Sequence, residues 1–289
     1  MRLACVILNY NDSGSVKELH GLIRDYSSID NIVIVDNLST DGSYDSLKPL
    51  EDGHTYVIRS DKNGGYGYGN NVGIRYAKER LGATHALIAN PDVEFSNDAI
   101  KTLRGAFEAS ERGDGKLAVA APIVWESGTA RDWKLPSAKR LVLERSKIYK
   151  RLCRPKRFYE PEYFRDKEQC QVDVVLGAML MVDIAKMQEM GLYDEDIFLF
   201  EEENVLGFQC KKYGYMTLVF PKHEYLHKKS VSVNKNIRSR INREKIVNQS
   251  KLTALKKYYG VGPLGMCAAG LFYKWCLLEI RMYELLKKH

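Results

Sequence analysis

The chain has 289 residues, 45% hydrophobic and 28% charged, with a formal net charge of +7. That length suits one large α/β domain with a sizeable core plus an appendage, and the composition excludes a disordered or fibrous chain. Six scattered cysteines, with no CxxC pair and no zinc-ligand spacing, exclude a disulfide scaffold and read as reduced, mostly buried thiols of a cytoplasmic protein.

Residues 1–120 alternate strand and helix signals, the pattern of βαβ units over a parallel sheet. The apolar run Leu3–Leu8 is too short for a signal peptide and reads as a first strand ended by Asn9-Tyr10-Asn11-Asp12. Val16, Leu19, Ile23 and Tyr26 lie at helical spacing, with Ser13 or Ser15 as N-cap. Ile32–Asp36 is a buried strand ending in a carboxylate, and Tyr56–Ile58 is a third strand. Ile74, Ala77 and Leu81 form a helical stripe. Ala86–Ala89 is a fourth strand that runs into Asn90-Pro91-Asp92. Asn97 then caps a helix carrying Ile100, Leu103 and Phe107, and Leu117–Ala121 is a fifth strand.

Periodicity fades over the basic, aromatic segment 125–170, which reads as a long loop of the kind that forms lids. A strand-like stretch over Val172–Asp183, a short helix ending at Gly191 and an acid-rich segment leading into a helix at Phe198–Tyr213 follow. Asn234–Tyr259 is a polar, basic helix region, broken at Gly260-Val261-Gly262-Pro263. Leu264–Leu286 is an apolar helix too interrupted by charge to span a bilayer, suited to a membrane interface or to packing on the main domain. Basic residues crowd 139–157, 222–257 and the C-terminus. Each cluster alone suits a solvated face, and together they admit anionic lipid or nucleic acid as a partner.

Asn9, Asp36, Asn63 and Asp92 all stand just after strand ends, where open α/β sheets place their ligand crevice. The glycine-rich run Gly64–Gly69 fails both the GxGxxG and the GxxxxGK spacing, so it is a flexible turn or a close backbone approach to a diphosphate. Asp92 is a hard oxygen ligand suited to a divalent ion, or part of an ordinary Asn-Pro turn. Glu201, Glu202 and Glu203 repel one another. A helix N-terminus accounts for one or two of them, and a base that takes a hydroxyl proton would account for a third. His227 is a structural histidine or an imidazole ligand, and its spacing from His223 is a fortuitous i, i+4 or a pair.

In this order the motifs resemble the family 2 inverting glycosyltransferases of the GT-A fold, most closely bacterial rhamnosyltransferase- and galactofuranosyltransferase-type enzymes. The matching residues are Ile7–Asn11, Ile34–Ser43, Asn63–Gly67 with Asn71, Asn90–Val93, Gly191–Glu195, Phe198–Phe200, Glu202-Glu203 and His227, spread over about residues 3–232. The resemblance implies an α/β fold whose Rossmann-like, mostly parallel central sheet is flanked by helices. It divides the chain into a catalytic domain at 1–232 (nucleotide-sugar half 1–120, acceptor half 121–232) and a C-terminal helical appendage at 233–289.

It also implies that Asn9, Tyr10 and Asp36 hold the nucleotide base. Asn63, Gly65 and Asn71 line ribose and diphosphate. Asn90 and Asp92 stand at the DxD position, and Asp92 with His227 binds Mn2+ or Mg2+. Glu203, with Glu202 in reserve, is the catalytic base. Asn90 replaces the first DxD aspartate, and Glu replaces the commoner Asp at the base position. The implied donor is a UDP- or dTDP-sugar, and the acceptor a hydroxyl of a glycan or lipid-diphosphate in bacterial cell-surface polysaccharide synthesis. The scattered cysteines point to the cytoplasm, and the basic surface with the C-terminal helix points to a lipid-diphosphate acceptor at the inner face of the membrane; no nucleic-acid partner is expected, and a homodimer through the last helix is a further expectation. A nucleotidyltransferase is disfavoured because Asn9–Ser13 lacks a basic glycine-rich loop. A nucleotide- or RNA-binding module leaves the acidic cluster unexplained.

Overall fold

A computed structural model describes residues 1–228 and 239–286. The expected boundary at 232/233 lies outside the described residues. Eight strands form the central sheet in the order β3-β2-β1-β4-β10-β6-β11-β9. The first half supplies β1 (Leu3–Asn9), β2 (Asn31–Asp36), β3 (Thr55–Arg59) and β4 (His85–Ala89), all parallel. The two-residue strand β5 (Val93–Glu94) follows, and β6 (Leu117–Ile123) re-enters the main sheet. A small hairpin, β7 (Trp125–Glu126) and β8 (Thr129–Ala130), and the edge strand β9 (Cys170–Gln171) come next. β10 (Met179–Asp183) runs antiparallel between β4 and β6, β11 (Met216–Glu224) lies parallel to β6, and β12 (Leu226–His227) pairs with β5.

The continuous apolar runs of β1 and β2 reflect burial on both faces. Ala4, Val6, Val33 and Val35 point to one side, against α3 (Gly65–Leu81), which follows α1 (Ser13–Ile23) and α2 (Ser43–Leu47). Leu3, Cys5, Ile7, Ile32 and Ile34 point to the other, against α1 and α4 (Asn97–Arg112). The cap positions differ from expectation. Asp12, not Ser13 or Ser15, precedes α1, because Asn9 Oδ1 accepts its N–H at 3.2 Å and turns the chain there. Ser96, not Asn97, caps α4 by accepting from Ala99 N, while Asn97 Oδ1 is taken by Ser28 N.

Segment 125–170 is not the structureless loop expected. It contains the β7–β8 hairpin, α5 (Ala138–Leu143) and α6 (Lys147–Cys153), each helix with a serine cap. Its aromatic residues pack on one another, Tyr159 on Tyr163 at 4.8 Å and Trp125 against Phe164, which is why sparse periodicity still gives order. The regular strand expected over 172–183 begins only at Met179. Val174 instead exchanges backbone hydrogen bonds with Trp133. Helices α7 (Ile184–Glu189) and α8 (Glu202–Tyr213) complete the second half of the main domain, and Gly191 ends the first of them as expected.

Among the described residues the C-terminal part holds two helices, α9 (Arg240–Lys257) and α10 (Pro263–Leu286). Their inner faces share a third core with the main domain: Ala254, Leu255, Ala269 and Tyr273 pack with Leu141, Ile197 and Val205. No helix among the described residues is long and apolar enough to cross a membrane.

Helix α3 sits close because its facing residues are glycines. A Cβ on Gly73 would lie 2.4 Å from Val6, and one on Gly69 2.3 Å from Leu8. Gly65 has φ +86°, and a Cβ there would meet the Phe198 carbonyl oxygen at 1.9 Å. Gly65→Ala therefore combines a left-handed alanine with a backbone clash and should destabilise the fold by at least ~2 kcal/mol. Gly14→Ala, in open space on α1, should be close to neutral. Thermal unfolding of the two variants checks this.

Candidate active site

The parallel strands deliver their polar ends to one edge of the sheet, with Asn9 beside Asp36 in register. Asp36 is fully buried and accepts from Asn9 Nδ2 at 2.8 Å and from Ser39 N at 3.0 Å, with Arg59 Nε 3.5 Å away. Asn9 also donates to Ser39 Oγ. The two residues therefore form one rigid polar floor after β1 and β2, and the partly buried Tyr10 follows directly. Asn37, absent from the expected set, ties the next layer: its Nδ2 donates to Asn63 Oδ1 and to Gly65 O, each at 3.1 Å.

Asn71 stands on α3. It is fully buried, donates to Tyr193 O and Glu195 Oε1, and accepts from Tyr193 N. Both ends of its amide are engaged, so it bolts α3 to the turn after Gly191. Gly65 likewise has a structural reason in its approach to Phe198, where Tyr66 N donates to Phe198 O at 2.9 Å.

Asn90, half-buried, donates its N–H to Ala178 O at 2.8 Å, which holds the turn after β4 against the segment entering β10. Asp92 and His227 meet through the β5–β12 pair. His227 Nε2 lies 3.5 Å from Asp92 Oδ1, with 12% and 6% of the two side chains exposed, and Lys228 N donates to Asp92 O. His227 Nδ1 is buried without a hydrogen-bond partner. His223 faces away and shares a hydrogen bond with Thr102 Oγ1, because both histidines lie on strands and not on one helix.

Among the described residues no group of three or more His, Cys, Asp or Glu side chains could hold a metal. The Asp92–His227 pair nevertheless fits a divalent ion that takes its remaining oxygens from a bound ligand: it offers one carboxylate and one imidazole with an orphaned nitrogen.

The acidic triplet divides sharply. Phe200 and Glu201 both adopt left-handed backbone, φ 68° and 88°, as the chain turns into α8. Glu201 is buried and paired with Lys251 of α9. Glu202 is buried with Oε1 unpartnered, and burial together with the neighbouring charge of Glu203 pushes its carboxyl well above the usual range. Glu203 is half-buried and accepts from Gly177 N at 3.4 Å. Burial raises it too, but the Gly177 N–H and the Arg157 cation oppose that rise. A side chain at Gly177 would meet Glu203 at 3.1 Å, so the glycine makes room for the carboxylate. Tyr66 Oη donates to Gly177 O at 2.5 Å and anchors the same segment from α3.

Segment 125–170 reaches this site through Trp133, whose Nε1 donates to Asn204 Oδ1 at 2.8 Å, and Arg157, whose guanidinium lies 4.3 Å over the indole ring. Neither residue stands out in the sequence, since each is one aromatic or basic residue among many. Tyr225 is buried where the charges of Asp132, Glu203 and Asp92 all reach its hydroxyl. The carboxylate helix and the Asp92 turn thus face a common region.

The glycosyl transferase family 2 profile matches residues 4–186. The chain belongs to glycosyl transferase family 2. It is 23% identical over 215 residues to the low-salt glycan biosynthesis hexosyltransferase Agl10 of Haloferax volcanii, covering 73% of this chain and 62% of that protein. It is 24% identical over 223 residues to the dTDP-rhamnosyl transferase RfbF of Shigella flexneri, covering 77% and 67%. The chain therefore spans less than two thirds of the archaeal relative's length.

Two solved structures share the architecture. GalNAc-T7 with UDP, GalNAc and Mn2+ has a TM-score of 0.59 at 16% identity, over 78% of this chain and 44% of that one. The mannosyltransferase PcManGT of Pyrobaculum calidifontis with GDP-Man and Mn2+ has a TM-score of 0.56 at 14% identity, over 96% and 72%. At such identities the likeness establishes the fold, which is GT-A. The family 2 resemblance read from the ordered motifs is thus correct.

Burial lifts the Asp132 carboxyl from 3.8 to about 8, and its Oδ2 has no partner. The folded state keeps a proton that the unfolded chain releases, so this contribution to stability is full below the unfolded value and is lost as pH rises through the folded one. Asp132→Asn removes the titration. Its Tm should exceed that of the parent by more at pH 8 than at pH 5, in thermal unfolding at the two pH values.

Proposed function

We propose that this family 2 chain transfers a hexosyl or deoxyhexosyl group from a UDP- or dTDP-sugar to a hydroxyl of a glycan or lipid-diphosphate-linked acceptor, with inversion, during assembly of a surface polysaccharide. The observation that carries this reading is Glu203: a half-buried carboxylate at the start of α8, held by the Gly177 N–H and given room by the missing Gly177 side chain. The names of the two relatives, a glycan-biosynthesis hexosyltransferase and a dTDP-rhamnosyl transferase, support the donor class. Family membership favours sugar transfer over the nucleotidyltransferase and RNA-binding alternatives.

In this mechanism Glu203 accepts the proton of the acceptor hydroxyl as that oxygen bonds to the anomeric carbon. The bond from that carbon to the diphosphate oxygen breaks, and the nucleoside diphosphate leaves from the opposite face. Glu202, whose carboxyl is pushed up by burial and by the neighbouring Glu203 charge, is the reserve for this role. Asp36 and Asn9 form the floor for the nucleotide base, with Tyr10 at its edge. Asn63, fixed by Asn37, would line the ribose and diphosphate with Gly65 and Asn71. Asp92 and His227 would hold Mn2+ or Mg2+, which supplies positive charge to the departing diphosphate. Solved relatives of this fold carry Mn2+.

Glu203→Gln keeps the shape and removes the base, so kcat should fall at least ~100-fold. UDP or dTDP with Mn2+ should raise Tm as much in the variant as in the parent. Initial rates and thermal shifts on both proteins test this, and full activity in the variant would assign the proton to another group.

The last helix packs one face on the main domain and leaves apolar residues exposed on the other. Ala269, Tyr273, Cys276 and Ile280 are buried against the domain, while Leu264, Leu271, Trp275, Leu278 and Met282 are exposed. Ile148 and Leu152 of α6 extend that apolar surface, and Ile148 N donates to Glu279 of α10. Exposed Lys150, Arg151, Arg154, Lys274 and Arg281 add positive charge. An apolar face with basic residues suits anionic lipid, so we assign it peripheral contact with a membrane surface. Leu271→Ser/Leu278→Ser should weaken co-sedimentation with phosphatidylglycerol vesicles while leaving Tm little changed. Equal sedimentation of variant and parent would make this face an interface of another kind.

A further inference from the structure

Three consecutive glutamates at a helix start demand compensation, and the base reading uses only Glu203. Glu201 receives its compensation from outside the catalytic core. Lys251 of α9 donates to Glu201 Oε1, and Asn204 Nδ2 donates to Oε2 at 2.9 Å. Only 6% of the Glu201 side chain and 13% of the Lys251 side chain are exposed. Removing one partner of a buried pair leaves an uncompensated charge, which is far costlier than losing a surface ion pair.

The pair acts at a strained place. Phe200 and Glu201 are successive non-glycine residues with positive φ, a conformation that persists only where surrounding contacts impose it. Helix α9 supplies such contacts along the whole turn. Ser250 Oγ donates to Leu199 O at 2.7 Å. Lys257 Nζ at 2.9 Å and Tyr258 Oη at 2.8 Å donate to Asp194. Ile197 and Val205, on either side of the turn, pack with Ala254 and Leu255 of α9. From the opposite side Tyr66 N holds Phe198 O. The turn that aims α8 is therefore clamped between α3 and the C-terminal helices.

We propose that Lys251 is a positioning residue of the transferase: its ion pair with Glu201 fixes the left-handed turn from which Glu203 projects, so the C-terminal helices belong to the active site. The proposal rests on the reading of Glu203 as base. Lys251 touches neither base nor substrate. It sets where the Glu203 carboxylate stands and which charges surround it. Those surroundings are Glu201 and Glu202 on the same turn, Arg157 and the Gly177 N–H from the acceptor side, and the hydroxyls of Tyr66, Tyr193 and Tyr225. Without the lysine, an unpaired Glu201 carboxylate disfavours ionisation of Glu203. Without Glu201, ionisation is favoured.

The test is steady-state kinetics across pH on the full chain, with Lys251→Met, Lys251→Arg, Glu201→Gln, the Lys251→Met/Glu201→Gln double variant and Glu203→Gln. Lys251→Met should lower kcat by ~10- to 100-fold, the scale of a misplaced catalytic group, with donor KM within about twofold. The acidic limb of its kcat profile should move to higher pH. Lys251→Arg should restore most of kcat. Glu201→Gln should move the limb to lower pH, and the double variant should recover part of the loss.

A Lys251→Met enzyme with parental kcat and pH limb but a lower Tm would overturn the proposal and leave Lys251 a stabilising residue only. If that variant does not fold, Glu201→Gln decides alone, and an unmoved limb overturns the idea. Failure of the base reading is separate: it appears as an active Glu203→Gln enzyme, whatever Lys251 does.

Discussion

The close approach of α3 to the rest of the molecule is the constraint on which the site depends. Glycines at 65, 67, 69 and 73 let this helix lie against Leu8 and Val6 of β1 on one side and against Tyr193 and Phe198 on the other. A helix with ordinary side chains would stand off from both. Because α3 touches both, the turn that carries the acidic triplet is registered against the strand ends that carry Asn9, Asp36 and Asp92. The glycine-rich run, whose spacing fits no standard phosphate loop, brings two segments of one domain together. Asn71, from the same helix, completes that junction through both ends of its amide.

Electrostatics then sorts the carboxylates that the fold has gathered. Three adjacent glutamates cannot all be ionised in a buried setting without partners. Glu201 has a lysine, Glu202 has burial and a like charge, and Glu203 has a peptide N–H with the Arg157 cation in reach. The three side chains thus stand in three different surroundings on one turn. Asp36 illustrates the other solution, a fully buried carboxylate satisfied by an asparagine, a peptide N–H and a nearby arginine.

The C-terminal helices have two faces with different tasks. The inner face closes a core with Ile197 and Val205 beside the acidic turn, and the outer face of α10 continues into α6 of segment 125–170. That segment also supplies Trp133 and Arg157 to the acid-bearing helix. Segment 125–170, the acid-bearing helix and the outward apolar surface are therefore mechanically connected.

The sequence by itself determined the fold family, the main alternation of strands and helices through residue 121, and the identity of the strand-end polar residues. Apolar periodicity and turn residues are local properties that a sequence carries openly. Asp92 with His227, and Glu202 with Glu203, were legible as members of an ordered motif set. Only the tertiary structure decided their partners. That Asn71 and Gly65 serve the junction of two segments, that Lys251 answers Glu201 from 50 residues away, and that Trp133 and Arg157 reach α8 all depend on contacts between distant parts of the chain. The order within 125–170 was hidden for the same reason. Aromatic stacking and isolated bridges stabilise it, and neither leaves a period in the sequence.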